Sequence, residues 1–259
     1  MNNQNESNNL IPKVIHYCWL STDEKPDFIK ECMQSWTEFM PDYEIICWDT
    51  NRFPMNEYPF VKAAYEARKW AFAADLIRLY ALYHHGGIYL DSDVVVYKPF
   101  DVFLKHRLFS CIEFHSNTYI RGVRKGNFKE GLGIEAAVMG AEPKHPWIKT
   151  CLEHYEQLHF VNEPKFLYGN VMGGTMARLA EPLGFKYLPI YQQLEQDIHI
   201  YPPDVFSLIN EPSLVKYSTH KCVNSWNPYT VSKAEKFKKF VVEKVVGKEN
   251  WTKIRRGKS

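Results

Sequence analysis

The sequence predicts an α/β protein built on a mostly parallel, doubly wound sheet, and three observations carry that prediction. The chain opens strand–helix–strand. A second strong helix then runs through a Gly-Gly pair directly into a short apolar strand. No internal repeat or linker divides the rest of the chain. Strands joined through a helix are set up to lie parallel, with helices on the sheet faces. The 259 residues suit one large domain, and 45% hydrophobic with 15% aromatic residues supply its core.

The elements come in this order. Residues 14–20 and 43–48 are apolar strands. Between them, residues 26–39 carry Phe28, Ile29, Cys32, Met33 and Trp36 on one helical stripe. Residues 71–85 form a second helix, apolar at Phe72, Leu76, Leu79, Tyr80 and Tyr83, which Gly86 and Gly87 end. The strand 88–90 comes next, so Asp91 sits at a strand's carboxyl end, the edge where open α/β sheets bind ligands. Strands are also expected at 108–113, 136–140, 186–189 and 214–220, with helices at 146–159 and 173–183. The polar, Gly- and Arg/Lys-containing stretch 114–133 reads as a mobile loop or a lid over the site. Residues 231–246 read as an amphipathic helix, with Phe237, Phe240, Val241 and Val245 opposite a lysine-rich face.

Three divisions result: a disordered lead-in at 1–10, a catalytic body at 11–230 and a basic tail at 231–259. The lead-in has neither the basic nor the apolar region of a signal peptide. Six scattered cysteines without a C-x-x-C pair read as free thiols, so a cytoplasmic location is expected. The net charge is only +2, which does not point to nucleic acid. The tail differs, with ten Lys/Arg against three Asp/Glu, while the preceding residues carry 22 against 27. Cations and aromatics on one helix fit an anionic membrane surface, which would make the protein peripheral on the inner face of the plasma membrane. The same apolar stripe would equally serve to dock the helix on the body.

The chemistry centres on GGIYLDSDVVVY, residues 86–97. If strand geometry persists through Asp91 and Asp93, their carboxylates share one face. Paired oxygens suit Mn²⁺ or Mg²⁺, which neutralises a diphosphate and improves it as a leaving group. His220 is a ready third ligand, and Mn²⁺ accepts imidazole more readily than Mg²⁺ does. Asp75 and Arg78 lie three apart on the preceding helix. They are either a surface ion pair or, given their apolar neighbours, a buried pair with a function. Trp19 is a core residue or a stacking platform for a base, Tyr89 a packing residue or a pocket wall, and His16 a satisfied core histidine. There is no G-x-G-x-x-G, P-loop or G-x-S-x-G motif, so dinucleotide dehydrogenases, P-loop NTPases and α/β-hydrolases lack their signatures.

Two blocks, IPKVIHYCWL (11–20) and KWAFAADLIRLYALYHHGGIYLDSDVVVYKPFD (69–101), resemble glycosyltransferase family 32. That family includes bacterial capsular polysaccharide transferases and fungal initiating mannosyltransferases, with large clostridial glucosylating toxins as distant kin. His220 and Ser225-Trp226 resemble its late histidine and S-W. At 167–175 the chain reads LYGNVMGGT where members often have T-G-P, so no acceptor-side role is carried over there.

The resemblance implies a GT-A fold, with a Rossmann-like sheet and the metal at its carboxyl edge. It implies a metal-dependent, retaining transfer of a hexose from a nucleotide-diphosphate sugar, UDP-linked in preference to GDP-linked. The acceptor would be a hydroxyl of a growing polysaccharide or lipid-linked glycan. Trp19 would stack on the base. Asp75 and Arg78 would bind donor hydroxyls, with Tyr89 closing the pocket and Ser225 also on the donor side. Asp91, Asp93 and His220 would hold Mn²⁺, with Mg²⁺ as the second choice. Trp226 would contact the leaving diphosphate and, with Asp91 and Asp93, complete the catalytic set. The rival readings are a metal-dependent phosphohydrolase or glycosidase on the same aspartates, and a nucleotide- or carbohydrate-binding module without catalysis.

Overall fold

The computed structural model describes residues 9–207 and 215–222. The lead-in up to residue 8, Ser225, Trp226 and the basic tail all lie outside the described residues, as does the domain boundary expected at 230.

The chain enters through β1 (Val14–Cys18), α1 (Asp27–Phe39) and β2 (Glu44–Trp48), and β1 and β2 pair in parallel, as the opening pattern requires. Buried Ile29, Cys32 and Trp36 recur at helical spacing along α1. The sequence reading did not separate out α2 (Pro59–Glu66), which opens on a proline in its first turn. Next comes α3 (Trp70–His85), buried along most of its length, and then β3 (Gly87–Leu90), parallel to β1. Gly86 and Gly87 make the turn at φ +65° and +102°. A side chain at Gly87 would also place its Cβ 2.6 Å from the Val14 carbonyl oxygen, so glycine is required twice over.

After β4 (Val94–Val96), β5 (Leu108–Phe114) leads into α4 (Ser116–Arg124). The stretch read as a loop or lid thus contains a helix. Its glycines suggested mobility, yet Gly122 is buried, because a Cβ there would lie 2.6 Å from Asn127 O and Glu130 Cβ. Then come β6 (Leu132–Ile134), β7 (Val138–Ala141), α5 (Pro146–Glu156), α6 (Pro164–Gly169) and α7 (Met172–Ala180). The strand expected at 186–189 is absent; β8 (Gln192–Leu194) and β9 (Ile198–Tyr201) come after it instead. The Gln192 side chain explains the difference. Its amide donates to Lys186 O and Leu188 O at 2.8 and 3.2 Å and accepts from Lys186 N at 2.8 Å, occupying groups that a strand ladder would use. A short α8 (Pro203–Phe206) and β10 (Ser218–His220) complete the described body.

The main sheet runs β2-β1-β3-β7-β5-β9-β8, with β6 pairing the far part of β5. β6, β7 and β8 oppose the direction shared by the other five strands, so the mostly parallel α/β sheet that the sequence predicts is present. Ile15, Ile88, Leu90, Phe109 and Val138 bury its centre. A separate antiparallel ribbon pairs β4 with β10, and this ribbon positions the site. No described helix is long and apolar enough to cross a membrane. All six cysteines are free thiols; Cys32, Cys111 and Cys151 are buried and the other three half-buried.

Candidate active site

The two aspartates converge through a turn and not along a strand. Strand β3 ends at Leu90, and the Val94 amide donates back to Asp91 O at 2.9 Å, closing a turn over Asp91–Asp93. Two anchors hold this turn. The Asp91 amide donates to Ala137 O at 2.9 Å, and the Trp36 indole donates to Val94 O at 2.8 Å. The β4–β10 ribbon then places His220 opposite Val94 in register, while the Lys221 amide donates to Asp93 O. Backbone pairing thus brings a histidine more than a hundred residues away to the D-x-D.

His220 Nε2 lies 3.4 Å from Asp93 Oδ1 and 3.9 Å from Asp91 Oδ2. One ligand atom from each of the three residues can be chosen so that all lie within 4.8 Å of one another. Two carboxylates and an imidazole form an oxygen-rich donor set that fits a divalent cation. The Asp91 carboxylate divides its duties. Its Oδ1 accepts from Tyr89 OH at 3.1 Å and pairs with Arg78 Nη1 at 3.3 Å, leaving Oδ2 toward His220.

Asp75 and Arg78 form a buried pair, 3.2 Å apart, so the surface-pair alternative falls. Arg78 also donates to Ala136 O at 2.7 Å and Ala74 O at 3.3 Å, and its guanidinium lies 4.5 Å from the Tyr89 ring centroid. Burial pushes the Asp75 carboxyl up to about 7; Arg78 opposes the shift, while the Asp91 and Glu113 charges add to it. Burial alone would lower Arg78, but Asp91, Tyr89 and Asp75 hold it firmly protonated.

Sequence reasoning missed Glu135. This residue sits at the corner between β6 and β7, 5% exposed, with its Oε1 3.5 Å from His220 Nδ1 and accepting from the Ala137 amide at 3.0 Å. Its own amide donates to Cys111 O, and its carbonyl accepts from Ser110 Oγ, so the corner is fixed to β5. Burial works against a charged His220, yet the Glu135 and Asp93 carboxylates raise its pKa well above the ordinary value. A carboxylate on Nδ1 holds the ring so that Nε2 faces the aspartates, the arrangement that orients metal-binding histidines. A lone acid inside the apolar run GIEAAVMGA was the available signal, since buried charges must be partnered.

Trp19 lies just past β1 at the same edge of the sheet, half-buried. Its amide donates to Trp48 O, its indole to Asp23 O at 3.1 Å, and Lys25 Nζ sits 5.3 Å from the ring. Tyr89 is fully buried and serves the site through its hydroxyl. His16 is the satisfied core histidine expected. Its Nδ1 accepts from the Trp48 indole at 3.1 Å, and its Nε2 bonds Gly86 O at 2.8 Å.

Residues 26–110 match the family model described as a glycosyltransferase sugar-binding region containing a DXD motif. The opening block 11–20 lies outside that match. The chain is similar to mannosyl phosphorylinositol ceramide synthase SUR1 of Saccharomyces cerevisiae, 31% identical over 173 residues, covering 64% of this chain and 40% of the relative. It is also similar to inositol phosphoceramide mannosyltransferase 2 of Schizosaccharomyces pombe, 30% identical over 152 residues, covering 57% and 39%. The chain thus spans about two fifths of the length of these relatives. Among solved structures, the PaToxG glycosyltransferase aligns with a TM-score of 0.46 at 15% identity, covering 66% of this chain and 69% of that one. The match over residues 26–110 agrees with the resemblance to glycosyltransferase family 32 read from the sequence: this part of the chain is similar to a DXD-containing sugar-binding region of glycosyltransferases.

Proposed function

We propose that this protein transfers a hexose from a nucleotide-diphosphate sugar to a hydroxyl of a glycan or lipid-linked glycan, with Mn²⁺ preferred over Mg²⁺ and with retention at the anomeric carbon. The convergence of Asp91, Asp93 and His220 beside the buried Asp75–Arg78–Tyr89 group carries the reading. Asp91 Oδ2, Asp93 and His220 Nε2 would hold the cation. When bound, the ion supplies positive charge against the diphosphate. Imidazole in the donor set supports Mn²⁺.

Asp75 and Arg78 face the sugar's hydroxyls. Asp75, its carboxyl near neutrality, can donate or accept there, while Arg78 only donates. Arg78 and Tyr89 also fix Asp91, so sugar recognition and the cation site share one rigid group. No described side chain is needed as a base, because in a front-face reaction the departing phosphate oxygen takes the acceptor proton. Retention is the outcome expected of the family 32 type.

The names of the two yeast relatives speak of mannosyl transfer and of inositol phosphoceramide, so a mannose donor and a lipid-borne inositol hydroxyl belong among the substrates tried. The test is a screen of UDP- and GDP-hexoses, mannose included, with Mn²⁺ or Mg²⁺ and with glycan or glycolipid acceptors. Nucleoside diphosphate release and α-linked product are read together. Release without product under every acceptor would favour the hydrolase reading, and no release with any donor would overturn the proposal.

A further inference from the structure

Helix α4 presents its apolar stripe to solvent. Ile120 is 49% and Val123 37% exposed, one turn apart on the helix, and Phe128 in the following turn is 60% exposed. The inward face is made by Tyr119, which packs on Phe114, and by Gly122, which packs on the Asn127–Glu130 turn. A surface helix ordinarily turns its apolar stripe to the core; this one reverses the rule. Cations surround the stripe. Arg121 pairs with Glu130 and Lys129 with Glu181, whereas Arg124 and Lys125 have no ion pair among the described residues. From 115 to 131 the only acid is Glu130, against four Arg/Lys.

The location gives the patch a purpose. Strand β5 passes Cys111, whose carbonyl holds the Glu135 amide, and α4 follows directly from its carboxyl end. The patch is therefore rooted at the edge of the sheet that carries the cation-site residues.

We infer that Ile120, Val123 and Phe128, flanked by Arg124 and Lys125, form a docking surface for an anionic lipid bilayer, which brings the candidate site to the membrane surface. Apolar side chains entering the headgroup region combine with cations that attract anionic lipid, and neither alone gives stable attachment. This surface is built from residues 116–128 alone and does not depend on the proposed transfer reaction.

The experiment is co-sedimentation of the full chain with phosphatidylcholine vesicles, with and without phosphatidylserine, at low and physiological salt. Binding is expected with phosphatidylserine, weaker with added salt and slight on phosphatidylcholine alone. Ile120→Glu/Val123→Glu should reduce the bound fraction at least tenfold with an unchanged melting temperature. Phe128→Glu, outside the helix, should reduce it several-fold without any risk to α4. Arg124→Glu/Lys125→Glu should abolish the dependence on phosphatidylserine. Failure of the wild-type chain to bind at low salt would overturn the inference. So would binding by Phe128→Glu and the α4 variants at the wild-type level, which would assign attachment elsewhere. Concentration-dependent self-association lost in the same variants, with no lipid binding, would make the patch a protein interface and equally overturn it.

Discussion

The Glu135 carboxylate stands 3.5 Å from Nδ1 of His220, on the side of the ring opposite Asp93 and Asp91. That relationship makes the imidazole a fixed part of the site, because the glutamate is buried and tied to β5 through Ser110 and Cys111. Glu135→Gln should lower Mn²⁺ affinity about 10- to 100-fold, the usual scale for loss of an outer partner of a metal ligand. Electron paramagnetic resonance of free and bound Mn²⁺ measures this directly, without substrate. A purely structural glutamate would instead lower the melting temperature and leave the affinity of the folded fraction unchanged.

Asp93→Asn should abolish metal-dependent transfer and leave the fold intact, because the residue sits in a turn between strands and not within the apolar core. Circular dichroism and thermal melting report the fold, and Mn²⁺ titration reports the site. Activity within a few-fold of wild type would remove Asp93 from the cation site.

Arg78→Ala should unfold the protein more readily as well as impair it, since Arg78 is 4% exposed and pairs with Asp75 and Asp91. Removing one partner of a buried charge pair costs roughly 3–5 kcal/mol, because the remaining charge loses its compensation. Urea unfolding measures the loss. In the fraction still folded, turnover of the sugar donor should fall more than affinity for the free nucleoside diphosphate. A loss below about 1 kcal/mol would mean that water reaches and solvates the pair.

Acidification should destabilise the protein through His16. Burial lowers its imidazole from 6.5 to about 4; the bond to Gly86 O opposes the shift, while the His85 and Arg52 charges add to it. The unfolded chain therefore binds a proton that the folded chain refuses between those two pH values. Stability from this group is full above pH 6.5, declines as pH falls toward 4 and is gone below, about 3 kcal/mol in all. Urea unfolding at pH 7, 5.5 and 4.5 should show this decline, and His16→Gln should flatten it. An equal slope in both proteins would place the acid sensitivity in other groups.

The first hundred residues made much of this legible, and the physical reasons are specific. The β1–α1–β2 opening, the Gly86-Gly87 turn and the D-x-D are local features whose signals lie within a few residues of one another. His220 was within reach as a residue type, but its placement depends on the β4–β10 ribbon, which no local pattern announces. Glu135 escaped notice because a carboxylate in a strand-like run resembles a solvent-facing residue until its own burial is known. Helix α4 within 114–133 was not legible, because the basic residues and glycines of that stretch indicate a loop. Gly122 and Gly131 instead permit close packing, a Cβ at Gly131 lying 2.5 Å from the Tyr119 amide nitrogen.

Trp19 offers the sharpest division between packing and recognition. The ring is half-buried beside the carboxyl end of β1, and its indole nitrogen is bonded to the Asp23 carbonyl, so the edge of the ring is held while part of its surface remains open. Lys25 lies 5.3 Å from the ring centroid, close enough to be displaced or to join in when a base stacks there. Trp19→Ala should weaken nucleoside diphosphate binding by roughly 1–3 kcal/mol if the ring stacks on the base. Trp19→Phe, which keeps an aromatic face but loses the bond to Asp23, should retain most of the affinity. Calorimetry of UDP and GDP binding beside thermal melting tells the two roles apart. A Trp19→Ala protein that melts many degrees lower yet binds both nucleotides normally would return Trp19 to the core.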